Sequence, residues 1–289
     1  MTLSQISTPL TKDQAYALVD AVMERDDLAL TASAHEDVET GEWVFEATTE
    51  MLPDLLTFEE LARVTLGGAI EFSIAPVDAE TNWVAKSLEG LKPVTAGGFY
   101  VYGSHEDTIP TGGVTPIRID AAQAFGTGHH ETTTGCLEAI NLTLKTRRVE
   151  RPLDVGTGTG VLAIAIAKRT RLPVIASDID PVATETAIEN AHDNGVGLLV
   201  KAVTAPGLNY PLIRRAQPYD LIVANILAAP LAAIAPALGR AASRHATIIL
   251  SGILISQASK VISAYASQRI VLRKRLERGE WVTLMLEKL

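Results

Sequence analysis

The stretch LDVGTGTGVLAIAIAK, residues 153 to 168, decides the fold of this chain of 289 residues. A short apolar run leads into three glycines, Gly156, Gly158 and Gly160, and a second apolar run follows them. A glycine-rich turn between a buried strand and a helix lets a ligand approach the backbone closely and meet the positive end of the helix. The stretch therefore predicts a strand, a ligand-binding turn and a helix.

The same alternation continues from residue 152 to the carboxyl end. The runs PLDVG, PVIASD, YDLIVAN and ATIILSG are typical of strands, and a helix-like run follows each of them. This pattern predicts parallel strands joined by crossover helices, an α/β fold. The final run, RIVLRKRLERGEWVTLMLEK, contains two strand-like segments about a tight turn at Arg278 and Gly279. We therefore expect an antiparallel hairpin at the end of the sheet.

Three classes of cofactor compete for the glycine turn. A nucleoside-triphosphate loop needs lysine and then serine or threonine after its last glycine, where this chain has Val161, Leu162 and Ala163. A dinucleotide turn has the spacing G-x-G-x-x-G, whereas this turn is G-x-G-x-G. The third class is S-adenosylmethionine, whose ribose would reach Asp178 at the end of the next predicted strand. An acid at that position also suits a dinucleotide, so the turn and Asp178 together indicate a nucleoside cofactor.

A side-chain amide ends another buried run. In YDLIVANIL, residues 219 to 227, Asn225 stands where a core strand is expected to end. Ligands of open α/β sheets bind outside the carboxyl ends of the strands, so Asp178 and Asn225 are expected to face one crevice. An amide beside the carbonyls of Ala224 and Ile226 can accept hydrogen bonds from an amine and point its lone pair at a methyl group. A hydride-transfer site does not need such an amide; a simple turn-forming role is the alternative.

The first part of the chain has a different pattern. Residues 1–80 contain a helix-like run, TKDQAYALVDAVMER, and β-rich runs such as EWVFEATTE, which predict a small α+β domain. Residues 81–95, with Gly90 and Pro93, are typical of a linker, and residues 96–289 form the second predicted domain. Because residues 1–80 have no comparable cluster of glycines and acids, substrate recognition is the role that remains for them.

Composition excludes several classes of protein. The net charge of −9 provides no bulk positive field to attract nucleic acid. A single cysteine, Cys136, excludes an intrachain disulfide framework and a zinc site of several thiolates, and it fits a reducing cytoplasm. The N-terminus lacks the pattern of a secretory signal. The apolar run 221–239 is interrupted by Asn225, Pro230 and Pro236, which favours a buried strand and helix over a membrane span.

Five motifs follow one another in the chain: GTGHHETT, DVGTGTG, SDIDP, ANIL and GEWVTL. In this order they resemble the ribosomal protein L11 methyltransferase family, and F-G-T-G-x-H-x-T-T, here Phe125 to Thr133, is the most specific of the patterns. The resemblance implies a Rossmann-like class I methyltransferase, with a mostly parallel seven-stranded sheet that ends in an antiparallel hairpin. It also implies a preceding ferredoxin-like domain that recognises the substrate. The implied reaction is repeated methylation, by S-adenosylmethionine, of lysine and N-terminal amines of ribosomal protein L11.

The resemblance also assigns roles to residues. Those that contact S-adenosylmethionine would be Thr133, Gly156, Asp178 and Asn225, together with Gly158 of the same turn. Asn225 would also orient the amine, and the glycine-threonine loop AFGTGHHETTTGC, residues 124 to 136, would close over the cofactor as a lid. His130 is a candidate general base, and orientation of the loop is its alternative role. Glu131 stands where the family commonly has proline, and Thr157 and Thr159 replace cysteine or serine.

Other readings stay open. A His-His-Glu cluster at residues 129–131 suggests a metal, but three consecutive side chains rarely converge on one ion, so we expect none. Methyltransferases that act on glutamine or adenine typically have N-P-P-Y where this chain has N-I-L-A. The alternatives are a class I methyltransferase of another protein, an RNA or a small amine, a nicotinamide-dependent oxidoreductase, and a non-catalytic ribosome-assembly binder. Direct binding of nucleic acid or a membrane is not expected.

Overall fold

The computed structural model describes residues 4–23, 25, 28–37, 40–49, 52–76, 93–104, 106, 110, 112–119 and 129–289, with backbone alone at Pro76, His129 and His130. These residues fall into two compact units, one within 4–76 and the other within 93–119 and 129–289. Most of the predicted linker, residues 81–92, lies outside the described residues, and so does the first half of the predicted lid, residues 124–128.

The first unit is a four-stranded antiparallel sheet with two helices. Its elements are β1 (Ser4–Leu10), α1 (Lys12–Met23), β2 (Thr31–Glu36), β3 (Trp43–Thr49), α2 (Leu55–Leu66) and β4 (Ser73–Pro76). The strands lie in the order β2-β3-β1-β4, and each is antiparallel to its neighbours. The βαββαβ succession with this strand order is the ferredoxin-like arrangement that the family resemblance implies.

Local sequence patterns explain the elements of this unit. α1 buries residues at helical spacing and β3 buries every second residue, so each turns one face to the core. The buried residues of the two elements are Ala15, Tyr16, Leu18, Val19 and Val22 in α1, and Phe45, Ala47 and Thr49 in β3. α2 begins after Asp54, whose side chain accepts a hydrogen bond from the backbone N–H of Thr57, and it ends at Gly67 with φ of 77°.

The second unit contains a small sheet and a large one. β5 (Val94–Ala96), β6 (Phe99–Tyr102) and β7 (Thr115–Arg118) form the small sheet, with β6 in the middle. The remaining elements are α3 (His129–Thr146), β8 (Pro152–Val155), α4 (Val161–Thr170), β9 (Val174–Asp178), α5 (Pro181–Asp193), β10 (Val200–Thr204), α6 (Pro211–Arg215), β11 (Tyr219–Asn225), α7 (Ala228–Ala241), β12 (Ala242–Leu254), α8 (Ala258–Ala266), β13 (Ile270–Arg278) and β14 (Trp281–Lys288).

The large sheet has seven strands in the order β10-β9-β8-β11-β12-β14-β13. Its neighbouring strands are parallel from β10 to β12, and β14 is antiparallel to both β12 and β13. The predicted mostly parallel seven-stranded sheet with a final antiparallel hairpin is therefore confirmed. The strand order reverses between β8 and β11, which is the position where open α/β sheets bind ligands.

Apolar cores cover both faces of this sheet. On one face, α7 and α8 contribute fully buried Leu231, Leu238 and Tyr265. On the other face, α3 and α4 contribute Ile140 and Ile164. Strands that are buried on both sides are continuous apolar runs, as β11 and β12 are. The apolar run that suggested a membrane span becomes β11 and α7, and within the described ranges no helix is long and apolar enough to cross a membrane.

Two elements differ from the sequence expectations. The lid was expected to be a loop through residue 136, but α3 begins at His129, so the second half of that segment is helical. The helix forms because Cys136, Leu137 and Ile140 are buried at helical spacing in the core. β10 was not predicted, since its run VKAVT is short and carries a lysine. The position of β10 explains this composition, because β10 is an edge strand that pairs with β9 on one side and has no neighbouring strand of the described sheet on the other. Edge strands are often short and carry charged residues.

Candidate functional site

The glycine turn connects β8 to α4 at the centre of the large sheet. Gly156 and Gly158 have φ of 69° and 52°, a left-handed conformation that favours glycine. The backbone N–H of Gly156 donates to the carbonyl of Ser177 over 2.8 Å, which ties the turn to β9. A Cβ atom at Gly156 would overlap Cγ2 of Ile226, whereas one at Gly158 would have nothing within 4 Å. The backbone at Gly158 is thus open to a ligand.

The buried side chain of Asp154 holds this turn through two hydrogen bonds. Oδ2 of Asp154 accepts hydrogen bonds from Oγ1 of Thr157 over 2.8 Å and from the backbone N–H of Ala163 over 3.1 Å. Burial raises the pKa of the Asp154 carboxyl to about 7, and the nearby charge of Asp178 adds to this while the two hydrogen bonds oppose it. Asp154 therefore links both ends of the turn. Asp154 was not among the site residues predicted from the sequence, although an acid inside the apolar run PLDV was the available signal.

Asp178 ends β9 and faces the glycine turn. Its Oδ2 accepts a hydrogen bond from the backbone N–H of Gly158 over 2.8 Å, and its Oδ1 accepts one from the N–H of Asp180 over 3.1 Å. The side chain stays partly exposed, so each oxygen keeps a lone pair for a further donor. Asp180 itself caps α5 by accepting a 2.8 Å hydrogen bond from the backbone N–H of Val182, and Pro181 is at the first helical position.

Asn225 ends β11, on the other side of β8 from Asp178. Its Nδ2 donates to Oγ1 of Thr132 over 3.4 Å. Its Oδ1 is buried and has no hydrogen-bond partner among the described residues. A buried carbonyl oxygen without a donor is unfavourable by about 1 to 3 kcal/mol, so a ligand that donates a hydrogen bond to Oδ1 would be stabilised at this position. Strands β9, β8 and β11 are adjacent and parallel. Two strand spacings therefore separate the Cα atoms of Asp178 and Asn225, which is about 10 Å.

Helix α3 supplies two buried threonines to the same edge of the sheet. Thr132 is 2% exposed and contacts Asn225, and Thr133 follows it at 3% exposure. Thr132 did not feature in the sequence predictions, although it is one of the two threonines of the most specific pattern. The side chain of His130 lies outside the described residues, so its two candidate roles stay predictions. In the described part of the chain, no group of three or more His, Cys, Asp or Glu is arranged to hold a metal ion.

A separate groove of about 460 Å³ lies at the carboxyl ends of α3 and α4. Its lining includes the four cations Lys145, Arg147, Arg148 and Arg169, and none of the predicted site residues. α4 runs opposite to the parallel strands that it connects, and α3 begins beside Asn225, so their carboxyl ends and this groove lie at the other edge of the sheet from Asp178. Arg147 donates to Oγ1 of Thr247 and Arg169 to the carbonyl of Gly98, each over 2.7 Å. Arg147 and Arg169 therefore tie the ends of α3 and α4 to neighbouring strands and turns.

The residues at the site fit S-adenosylmethionine. The open backbone at Gly158 can lie against the ligand, the partly exposed carboxylate of Asp178 can accept hydrogen bonds from hydroxyl groups, and Oδ1 of Asn225 can accept one from an amine. Comparison with known proteins agrees with this fit. The family described as ribosomal protein L11 methyltransferase (PrmA) matches residues 8–289. The chain belongs to this family.

Relatives match over almost the whole length. This family member is 44% identical over 287 residues to the ribosomal protein L11 methyltransferase of Rhizobium meliloti (strain 1021), covering 96% of this chain and 97% of that protein. It is 48% identical over 228 residues to the protein of the same name from Agrobacterium fabrum, covering 79% and 77%. Among solved structures, ribosomal protein L11 methylase from Lactobacillus delbrueckii subsp. bulgaricus has a TM-score of 0.61 and 28% identity, covering 69% of this chain and 99% of that one.

Proposed function

We propose that this chain transfers methyl groups from S-adenosylmethionine to lysine side-chain and N-terminal amines of ribosomal protein L11. Family membership supports the activity and the substrate protein. The observation that carries the chemistry is the position of Oδ1 of Asn225 at the carboxyl end of β11, where it is buried and has no hydrogen-bond partner among the described residues. A hydrogen-bond acceptor at that position suits an amine nucleophile, which has N–H groups to donate and a lone pair to aim.

Five residues would hold the cofactor. Gly156 and Gly158 let the backbone of the turn lie along its amino acid part, and Asp178 would accept hydrogen bonds from its ribose hydroxyls. Thr133, in the first turns of α3, and Asn225, at the end of β11, would bound the side where the methyl group lies. The cofactor supplies an electron-poor methyl group bonded to a sulfonium. Positioning an amine in line with that group contributes roughly 7 to 11 kcal/mol when the approach geometry is right.

The amine must lose its proton before it reacts. At pH 7 the neutral form costs about 4.6 kcal/mol for a lysine with a pKa of about 10.4, and about 1 kcal/mol for an N-terminal amine with a pKa of about 7.8. Asn225 follows fully buried Ala224 in β11, and Ile226 and Leu227 after it are partly buried and apolar. Removal from water favours the neutral amine and so lowers the first cost. His130 is proposed either as the base that takes the proton or as a residue that orients the segment around it.

Residues 1–80 are proposed as the substrate-recognition domain, residues 81–95 as its linker and residues 96–289 as the methyltransferase domain. Charge supports this division. Residues 1–80 hold 17 of the 34 acidic residues and only 3 of the 25 lysines and arginines, so their formal charge is −14. A ribosomal protein that must neutralise RNA phosphates is rich in cations, and an acidic domain attracts it. We place the reaction in the cytoplasm, where ribosomal proteins are made.

Methyl transfer to purified ribosomal protein L11 tests the proposal directly. The full chain is incubated with labelled S-adenosylmethionine, and the modified amines are identified by mass spectrometry. Incorporation at several lysines and the N-terminus is the expected result. Cofactor binding measured by calorimetry without any methyl incorporation would instead indicate a non-catalytic assembly binder. Thermal-shift measurements with S-adenosylmethionine and with NAD distinguish the remaining alternative, because an oxidoreductase would be stabilised by NAD.

A further inference from the structure

A chain of buried polar side chains runs from the candidate site into the core. It begins at Asn225 of β11, whose Nδ2 donates to Oγ1 of Thr132 over 3.4 Å. The backbone carbonyl of Thr132 accepts a hydrogen bond from Oγ of Ser251 in β12 over 3.3 Å. Ser251 in turn shares a 2.8 Å hydrogen bond with Oγ1 of Thr283 in β14. Two strands, β11 and β12, thus bond the first turn of α3 directly, and β14 bonds it through Ser251.

These contacts are buried and close. Thr132, Ser251 and Thr283 are 2%, 0% and 2% exposed, so hydrogen bonds lost here are not replaced by bonds to water. The helix also approaches the sheet very closely, since a Cβ atom at Gly135 would overlap Oγ1 of Thr283. Glycine in a helix interior is unfavourable by about 1 kcal/mol relative to alanine. Its presence at this position allows the close approach that brings the first turn of α3 onto the sheet.

The hydrogen bond to Thr132 leaves one end of the Asn225 amide available. Because Nδ2 is bonded to Thr132, Oδ1 points to the other side and has no partner among the described residues. An amide rotated by half a turn would present its NH2 group there instead, and that group cannot accept a hydrogen bond from an amine. Thr132 and Thr133 point about 100° apart around the helix, so Thr132 can hold Asn225 while Thr133 contacts the cofactor.

We propose that Thr132 is a positioning residue, which fixes the amide of Asn225 with Oδ1 toward the substrate amine, and that Ser251 and Thr283 hold Thr132 in place. This inference rests on the proposed function, because it assigns Oδ1 of Asn225 to the substrate amine. It concerns the orientation of the Asn225 amide at the transfer step; the Asn225 side chain and its proposed place beside the cofactor are retained. Loss of the Thr132 hydroxyl should therefore slow methyl transfer far more than it weakens the binding of S-adenosylmethionine.

The test compares Thr132→Val, which keeps the shape but removes the hydroxyl, with Thr132→Ser, which keeps the hydroxyl. At saturating cofactor, the single-turnover rate should fall about tenfold in Thr132→Val and stay within about threefold of the wild type in Thr132→Ser. The dissociation constant for S-adenosylmethionine, measured by calorimetry, should change less than twofold in both. Thr143→Val is a matched control: Thr143 lies in the same helix, is equally buried, and its hydroxyl donates to the carbonyl of Ala139 over 2.8 Å, away from Asn225. Its rate should equal that of the wild type.

A double-mutant cycle separates positioning from general damage. In an Asn225→Ala background there is no amide to orient, so Thr132→Val should cause no further loss of rate. An equal tenfold loss in both backgrounds, or an unchanged rate in Thr132→Val alone, would overturn the inference. If Thr132→Val does not fold, Ser251→Ala replaces it in the same cycle, with the same two outcomes. Failure of the wild type to methylate the ribosomal protein at all would instead overturn the proposed function.

Discussion

The two units of this methyltransferase carry their roles in different physical forms. In the second unit the proposed cofactor site consists of a few backbone and side-chain groups, such as the backbone nitrogen of Gly158 and Oδ2 of Asp178, which are 2.8 Å apart. In the first unit, no such cluster is present among residues 4–76 as described, and its distinctive property is a charge of −14 spread over residues 1–80. A small cofactor is held by local geometry, whereas a protein substrate can be attracted by charge distributed over a surface.

Separating the two units gives the largest expected effect. A truncated chain that begins at Val94 should bind S-adenosylmethionine as the full chain does, because the glycine turn, Asp178 and Asn225 are all retained. Its methylation of intact ribosomal protein L11 should fall on the order of 100-fold, because a tethered recognition domain raises the effective concentration of substrate amines. Rates at low substrate concentration, followed by mass spectrometry, are the measurement.

A short peptide from the same ribosomal protein is the control for that truncation. It contacts the active centre but is too small to engage a separate recognition domain, so both chains should methylate it at the same rate. If the truncated chain modified every site of the intact protein at the full rate, residues 1–80 would not be a recognition domain.

Two acidic groups, Asp154 in the second unit and Asp54 in the first, should change the free energy of unfolding with pH in opposite directions. Burial raises the folded-state pKa of Asp154 to about 7, above its ordinary value of 3.8, so this group favours folding at low pH and the benefit is lost as pH rises through 7. Relative to Asp154→Asn, the wild type should lose about 2 to 3 kcal/mol of unfolding free energy between pH 5 and pH 8. Denaturant unfolding at the two pH values measures this difference.

Asp54 of the first unit provides the contrast. A hydrogen bond from Thr57 lowers the pKa of this exposed carboxyl, so its benefit is present above its ordinary pKa and is lost only in acid. Asp54→Asn should therefore leave the change in stability between pH 5 and pH 8 as it is in the wild type. A wild-type chain whose stability did not decrease over this range relative to Asp154→Asn would show that Asp154 titrates at its ordinary value.

Cofactor affinity tests the local geometry of the second unit. Asp178→Ala should weaken the binding of S-adenosylmethionine by roughly 10- to 150-fold, because charge-assisted hydrogen bonds of about 1.5 to 3 kcal/mol are lost. Asp180→Ala is the matched control two residues away. It removes the cap of α5 and about 1 kcal/mol of stability, but it should leave the affinity unchanged. Calorimetry that found equal affinities for both variants would place the ribose elsewhere.

Most of the second unit could be predicted from the sequence, but the contacts beneath its candidate site could not. The parallel sheet followed from alternating apolar runs, and the positions of Asp178 and Asn225 followed from the rule that strand ends meet at one edge. The two glycines of the left-handed turn could be predicted, because few other residues adopt that conformation. The contacts of Ser251 with Thr132 and Thr283 could not be predicted, since they join residues 119 and 32 positions apart. No spacing in a single sequence encodes which of many buried hydroxyls will meet.

The smallest expected effect concerns the charge of the first unit. Glu36 and Glu42 flank the β2–β3 connection and are both exposed, so Glu36→Gln with Glu42→Gln removes two charges without disturbing the core. For methylation of ribosomal protein L11 at low salt, kcat/KM should fall about two- to threefold, because weaker electrostatic attraction slows encounter with a basic substrate. The difference should vanish at high salt, where exposed charges are screened. Glu185→Gln with Glu189→Gln removes the same charge from exposed positions on α5 and is the matched control. If the two double variants lost equal activity, net charge alone would attract the substrate, and the acidic surface of the first unit would have no special part in recognition.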